Sequence, residues 1–436
     1  MRSPVRWAVS IMAAVGVLGA ITACSPGAPE GSATSAPADT QDVVTVTNDA
    51  ELADAGSRVA AGGIIMIEPG TYHSSLEVRA DDVTVRGTDR NGVILDGEFT
   101  RSNGVVMTGA RVSVENLTVR NFVQNGVLIT GVTDENGAGV ARGPDGYLPG
   151  NVADPVAGYL VQSVTAQNNG LYGIYAFNRT GGVIRSNLAS GGSDSGIYVG
   201  QCEDCNAEVS GNVVTLNAVG IELANASNVV ITGNRITRNR IGLTILSNYL
   251  EAHGPTRGVR IAGNVITDND ESQTPEQATG AFGVGVGLSG TVDAVVRANL
   301  ITGNPNAGVW VNSSDDFAPS GTSVTDNVWD DSALAVVFAP SAEHAGSQNC
   351  FQLPVGARSE PPALATARCS DGIAPAAWAQ PVAPAGISFA KVATTPERPG
   401  LDSVDETPRT LPDAVDLPDV STVSVPAADL LADPAA

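Results

Sequence analysis

Lysine occurs once in this chain, at Lys391, histidine three times, and aromatic residues make up 4% of it. With 46 acidic residues against 23 basic ones the formal charge is −23. Such a surface repels nucleic acid, and it disfavours polyanionic polysaccharides unless arginines or metal ions gather locally. Long apolar runs are also scarce. One stands out, residues 7–20, and it is too short to span a bilayer. Arg2 and Arg6 precede it, and small residues follow, the arrangement of a secretory signal rather than of a membrane helix.

What is abundant is glycine, and it is periodic. Residues 171–246 read LYGIYAFN, DSGIYVGQ, AVGIELAN and RIGLTILS, each built on a glycine followed by apolar, variable and apolar residues. The anchors Gly173, Gly196, Gly220 and Gly242 lie 23, 24 and 22 residues apart. A period of this size denotes a solenoid in which each repeat buries its apolar face only against its neighbours. The same register holds at Gly104, Gly126, Gly285 and Gly308. Insertions interrupt it at 130–155, 248–257 and 270–282.

Asparagines recur in phase with the glycines as pairs five apart: Asn116/Asn121, Asn212/Asn217, Asn234/Asn239, Asn264/Asn269 and Asn299/Asn304. Asparagine tolerates left-handed backbone, and stacked amides can bond along a ladder. Each repeat therefore reads as three short strands with marked corners, for example 229–231, 235–237 and 242–245. No 3.6-residue period appears inside the units, which excludes a helical half-repeat. The expected fold is all-β, a parallel β-helix of about ten coils, roughly 50 Å long at about 4.8 Å per coil. A short capping helix is expected at 48–60, where Asn48 offers an N-cap and Leu52, Ala55 and Val59 an apolar face.

The turn Glu68-Pro69-Gly70-Thr71-Tyr72 resembles the opening of right-handed parallel β-helix proteins of the pectin-lyase-like superfamily. The segments YGIYAFN, SDSGIYVGQCEDCNA and VGIELAN resemble an exported β-helix repeat family of high-GC bacteria, which supplies no agreed catalytic set. The Asp-Pro-His signature of alginate-epimerase β-helices is missing. A remoter similarity is to periplasmic β-helix proteins that help mature a copper enzyme; the scarcity of Cys, His and Met argues against a copper site here. Ile21-Thr22-Ala23-Cys24 resembles a bacterial lipobox, which implies cleavage before Cys24 and its lipidation, with the protein held by that lipid on the outer face of the cytoplasmic membrane.

The expected organisation is a lipoprotein signal at 1–23, a flexible tether at 24–42, the β-helix at 43–338, a disulfide-closed cap or loop at 339–370, and a Pro/Ala/Asp-rich, poorly ordered tail at 371–436. In an oxidising compartment the remaining cysteines form two local pairs, Cys202–Cys205 and Cys350–Cys369. For the Cys-x-x-Cys pair a metal or redox role stays open beside a structural disulfide. Zinc, however, needs two further ligands, and a redox motif a following helix.

Alternation after each glycine puts positions one and three inside and position two outside. Position two reads Val106, Leu128, Tyr175, Tyr198, Glu222, Thr244, Gly287 and Trp310. In-register coils make Tyr175, Tyr198 and Glu222 neighbours in an exposed strip, flanked at the corner by Asn178, Gln201 and Asn225. Aromatic faces beside amides and a carboxylate suit sugars; equally, tyrosines suit any exposed sheet face. Catalytic candidates are Glu222, Asp194 and Arg240, with Arg179 a further cation; they are drawn from the needs of a glycosidase for two carboxylates and of a uronate lyase or epimerase for a base beside a positive group. No cofactor is required. The acidic runs 268–271 and 315–316 could take calcium, though solvated corners explain them as well. The sequence thus points to an exported protein that binds or processes a neutral glycan, or alternatively to a scaffold docking another exported protein, and leaves open whether it is an enzyme.

Overall fold

In the computed structural model the described residues are 40–140, 154–248, 251–276, 280–314, 316–329, 334–369 and 372–434. The signal, the lipobox with Cys24 and most of the tether fall outside them. The chain winds into three long sheets of twelve, eleven and ten strands, here sheets I, II and III. Consecutive strands visit I, III and II in turn, and each pairs in parallel with its counterpart one coil away. One circuit comprises Val229–Thr232 in sheet I, Arg235–Thr237 in sheet III and Ile241–Leu246 in sheet II. This is the three-strand coil that the glycine and asparagine phases imply.

The interior is filled by the alternate residues of each strand. Ile174, Ile197, Ile221 and Leu243 stack with Ala176, Val199, Leu223 and Ile245 in one continuous core. Parallel sheets need cover at their ends, where strand edges carry unpaired backbone groups. The N-terminal end is closed by the helix Asp49–Arg58, whose first turn is capped by Asn48 accepting from the Glu51 N–H at 3.0 Å, with Leu52 and Ala55 buried.

The asparagines form two hydrogen-bonded ladders inside the corners. One runs Asn187, Asn212, Asn234, Asn264, Asn299 and Asn327, each Nδ2 donating to the next Oδ1 at 2.9–3.0 Å. The other runs Asn217, Asn239, Asn269 and Asn304 at 2.9–3.1 Å. The left-handed backbone lies one residue earlier, at Gly211, Leu216, Gly233 and Arg238. The asparagine thus serves these corners through its amide and not through its backbone freedom. Asn116 and Asn121 differ: both are left-handed, and their amides bond Gly87 O and Asp96.

Two expected boundaries move. The first strand, Gln41–Val46, reaches into the expected tether. The ladders continue beyond residue 338, through Cys350–Phe351 in sheet I and Ser359–Glu360 in sheet II. The Cys350–Cys369 bridge therefore closes the last coil. The tail also departs from expectation. It builds no core of its own, but residues 372–434 lie extended against the solenoid through main-chain and side-chain bonds such as Asn206 to Val415 and Arg409 to Glu115. Composition reports whether a segment can bury its own apolar surface, and it is silent on docking against a neighbour. Among the described residues no helix is long and apolar enough to cross a membrane.

Candidate functional site

The outward ladder on sheet II has the register that the glycine anchors dictate. Tyr175 pairs with Tyr198, Tyr198 with Glu222, Glu222 with Thr244, Thr244 with Gly287, and Gly287 with Trp310. Its two halves differ sharply in what covers them.

The tyrosine half is closed. Tyr175 is 1% exposed and Tyr198 3%, which corrects the expectation of an open aromatic strip. They pack with Val106, Leu128, Phe177 and Ala224 as a second apolar cluster outside the solenoid core. Ring centroids stand 4.4 Å apart between Tyr175 and Tyr198, edge to face, and 4.2 Å between Tyr175 and Tyr172. The corner amides are engaged as well. Gln201 donates to Glu251 Oε2 at 2.5 Å and accepts from the Ala252 N–H at 3.0 Å. Asn225 donates to the carbonyls of Asn248, Glu251 and Ala252 and accepts from the Asn248 N–H. Both therefore pin the 248–257 insertion across the face instead of facing solvent. Asn178 is a fully buried, left-handed corner residue.

At the boundary three carboxyl groups converge. Asp194 and Glu222 are within hydrogen-bonding reach of each other, and Tyr172 Oη donates to Asp194 Oδ2 at 3.1 Å. Glu222 as a residue is half-buried, but its Oε2 is shut off from solvent and has no partner among the described residues. Burial pushes the carboxyls of Asp194, Glu222 and Glu251 up, and the like charges of Asp194 and Glu251 push Glu222 further. Two such groups share a proton more readily than both ionise. Their closeness does not match the ~5–9 Å separation of a glycosidase pair.

Arg240 does not join them. Its guanidinium donates to Pro384 O and lies over the Phe282 ring, 5.2 Å from the centroid. Arg179 is also structural: fully buried, it donates to the Gly109 and Gly158 carbonyls at 2.9 Å, and burial lowers its pKa to about 10.

The other half of the ladder is open. Thr244 and Gly287 floor a cavity of about 290 Å³, Trp310 and Val284 wall it, and Ser247, Asn248, Ser289, Asn312, Ser313 and Ser314 rim it. Among the described residues no charged side chain lines it. The cavity exists because Gly287 has no side chain: a Cβ there would meet nothing nearer than Leu243 O at 3.6 Å. The Trp310 indole N–H is buried without a partner among the described residues. Both residues stand in the position-two series. The legible signal was a bare residue beside a large aromatic one, outweighed by the more conspicuous tyrosines.

Cys202 and Cys205 form a disulfide within the core. Of the acidic runs, Asn269 belongs to the amide ladder and Glu271 pairs with Arg238, while Asp316 is exposed and Asp315 lies outside the described residues. Among the described residues no group of three His, Cys, Asp or Glu is placed to hold a metal ion.

Residues 152–328 match the family model described as right handed beta helix region. No curated protein matches in sequence. Among solved structures, the Azotobacter vinelandii mannuronan C-5 epimerase AlgE4 A-module is 14% identical over 73% of this chain and 97% of its own, with a TM-score of 0.39. The Dettilon tailspike protein gp208 is 15% identical over 70% and 68%, with a TM-score of 0.43. Pectate lyase Pel9A is 12% identical over 68% and 79%, with a TM-score of 0.39. These are likenesses of architecture at low identity, and no activity passes from them to this chain.

Proposed function

We propose that this protein, a right-handed parallel β-helix of pectin-lyase-like fold, binds and processes a neutral extracytoplasmic polysaccharide along sheet II, with the Gly287–Trp310 cavity as its principal subsite and Glu222 as proton donor at its edge. The observation that carries the reading is the cavity itself: one indole wall, a floor of Thr244 and the bare Gly287, and a rim of hydroxyls and amides with no charged side chain among the described residues. A sugar ring offers C–H faces to an indole and hydroxyls to such a rim. The lack of cations among the described residues of the cavity and the charge of −23 speak against a uronate polymer.

Glu222 is suited to its role by chemistry more than by proximity. A carboxyl that burial and like charges push well above the ordinary carboxylate range holds its proton more tightly than a free one and can deliver it to a glycosidic oxygen. The test is a screen of the purified chain against neutral and uronate oligosaccharides. A neutral ligand is expected, with Trp310→Ala weakening binding at least about tenfold. Glu222→Gln is expected to bind and not turn over. Equal binding by Trp310→Ala would remove the subsite, and equal turnover by Glu222→Gln would remove the proton donor.

The same reading places the protein outside the cell, held by a lipid on Cys24. What supports this is the basic start, the apolar run 7–20 and the Ile21-Thr22-Ala23-Cys24 sequence. Cells fed labelled palmitate should label the wild-type chain and not Cys24→Ser; label on both would contradict the anchor.

A further inference from the structure

The outer face of sheet I and its corners, away from the cavity, hold a polypeptide without pairing it into a sheet. Segment 398–424 runs there as extended chain with one short turn, Val420–Thr422. Its prolines at 399, 408, 412 and 418 lack the N–H that a strand ladder requires. The solenoid instead grips its main chain with side chains. Asn206 clamps Val415 from both sides, accepting its N–H at 2.6 Å and donating to its carbonyl at 3.0 Å. Asn116 accepts the Leu401 N–H at 2.8 Å, and Thr84 Oγ1 the Arg409 N–H at 2.7 Å. Arg86 donates to the carbonyls of Asp405 and Thr407.

A second, independent layer of contacts reads charge and apolar side chains. Between 398 and 434 the tail has eight acidic residues and two arginines, in a protein whose solenoid turns arginines toward it. Arg86 pairs with Asp405 at 3.3 Å and Arg111 with Asp413 at 3.1 Å. In the reverse sense, Arg409 of the tail reaches the fully buried Glu115 at 2.8 Å. Leu417, Val420 and Val423 pack on Val230 and Ala262. The solenoid also makes room: a Cβ at Gly181 would fall 2.1 Å from Asp413 O. Main-chain clamps with periodic charge and small apolar anchors are how a surface recognises an extended peptide.

We propose that the outer face of sheet I, with its flanking corners, forms a binding surface for an extended, acidic, proline-rich polypeptide, and that the chain's own segment 398–424 is its resident and displaceable occupant. The contacts fit exchange. The Asp405 and Asp413 carboxylates are largely exposed, so their pairs with Arg86 and Arg111 are screened by salt. The apolar anchor is small, and no disulfide holds segment 398–424 to the solenoid. A segment of the same chemistry, supplied from outside, meets the same clamps. The surface is separate from the glycan cavity, so the proposal stands or falls apart from that reading.

The experiment uses the full chain with one protease site placed at 370–371, and a fluorescent peptide of sequence 398–424. After cleavage the peptide is expected to replace the tail, to one equivalent per chain, more weakly as salt rises. A peptide with Asp405 and Asp413 both changed to Asn is expected to compete at least about tenfold less well. Varying the peptide leaves the fold of the solenoid untouched. A cleaved tail that remains bound while the peptide is refused would overturn the proposal, as would uptake indifferent to both the Asn changes and salt.

Discussion

Glu222 stands in register between Tyr198 and Thr244, so the closed and open halves of the sheet II face meet at one carboxyl group. Burial raises it and Asp194 above the ordinary carboxylate values of 4.5 and 3.8. In the unfolded chain both titrate near those values. The folded state therefore binds more protons above them, and stability falls as pH rises from that range through the raised folded values. Glu222→Gln is expected to flatten the fall and to raise the melting temperature at neutral pH. Thermal melts from pH 3.5 to 8 decide it. A wild-type profile that rises with pH over this window would show that the pair is ionised in comfort.

The amide ladder carries a larger prediction. Asn239 is fully buried, accepts from both the backbone and side chain of Asn217, and donates to Val214 O and Asn269 Oδ1. Asn239→Ala leaves several of these groups bare, at about 1–3 kcal/mol each. Denaturant unfolding is expected to show a loss of about 2–4 kcal/mol. Loss below 0.5 kcal/mol would mean that water or a shift of the coil replaces the amide.

Asn225 ties the 248–257 insertion to the solenoid through four hydrogen bonds to Asn248, Glu251 and Ala252. Asn225→Gly keeps its left-handed backbone and deletes the amide. Limited proteolysis is expected to cut this insertion well before the solenoid, at a rate at least about tenfold above wild type. Cleavage at the wild-type rate would assign the loop's position to other contacts.

The fold was legible because the solenoid repeats its physical demands. Every coil needs a close-packed glycine under the neighbouring carbonyl, as at Gly173 beneath Gly196 O, and two apolar residues inward. These constraints are local and recur, so they surface as a period. The site was legible only in its register. That Tyr198 lies beside Glu222 follows from spacing; that Tyr175 and Tyr198 are covered does not, because their cover comes from one another, from Tyr172 and from irregular insertions. Arg240 likewise stands at a predictable corner and is claimed by Pro384, 144 residues later. Docking of a tail is a fact about complementary surfaces, and neither surface repeats.

The central claim rests on the space above Gly287. Its backbone is open to any residue and a Cβ meets only an ordinary contact, so Gly287→Leu fills the cavity beside Trp310 without straining the coil. The decisive measurement is calorimetric titration of the neutral oligosaccharide found in the screen into wild type and Gly287→Leu, with melting temperatures taken alongside. The prediction is binding at one site in the wild type and at least about a hundredfold loss in the variant, about 2.7 kcal/mol, with the melt unchanged or raised. Equal affinity in the two proteins would contradict it and move the ligand off this face.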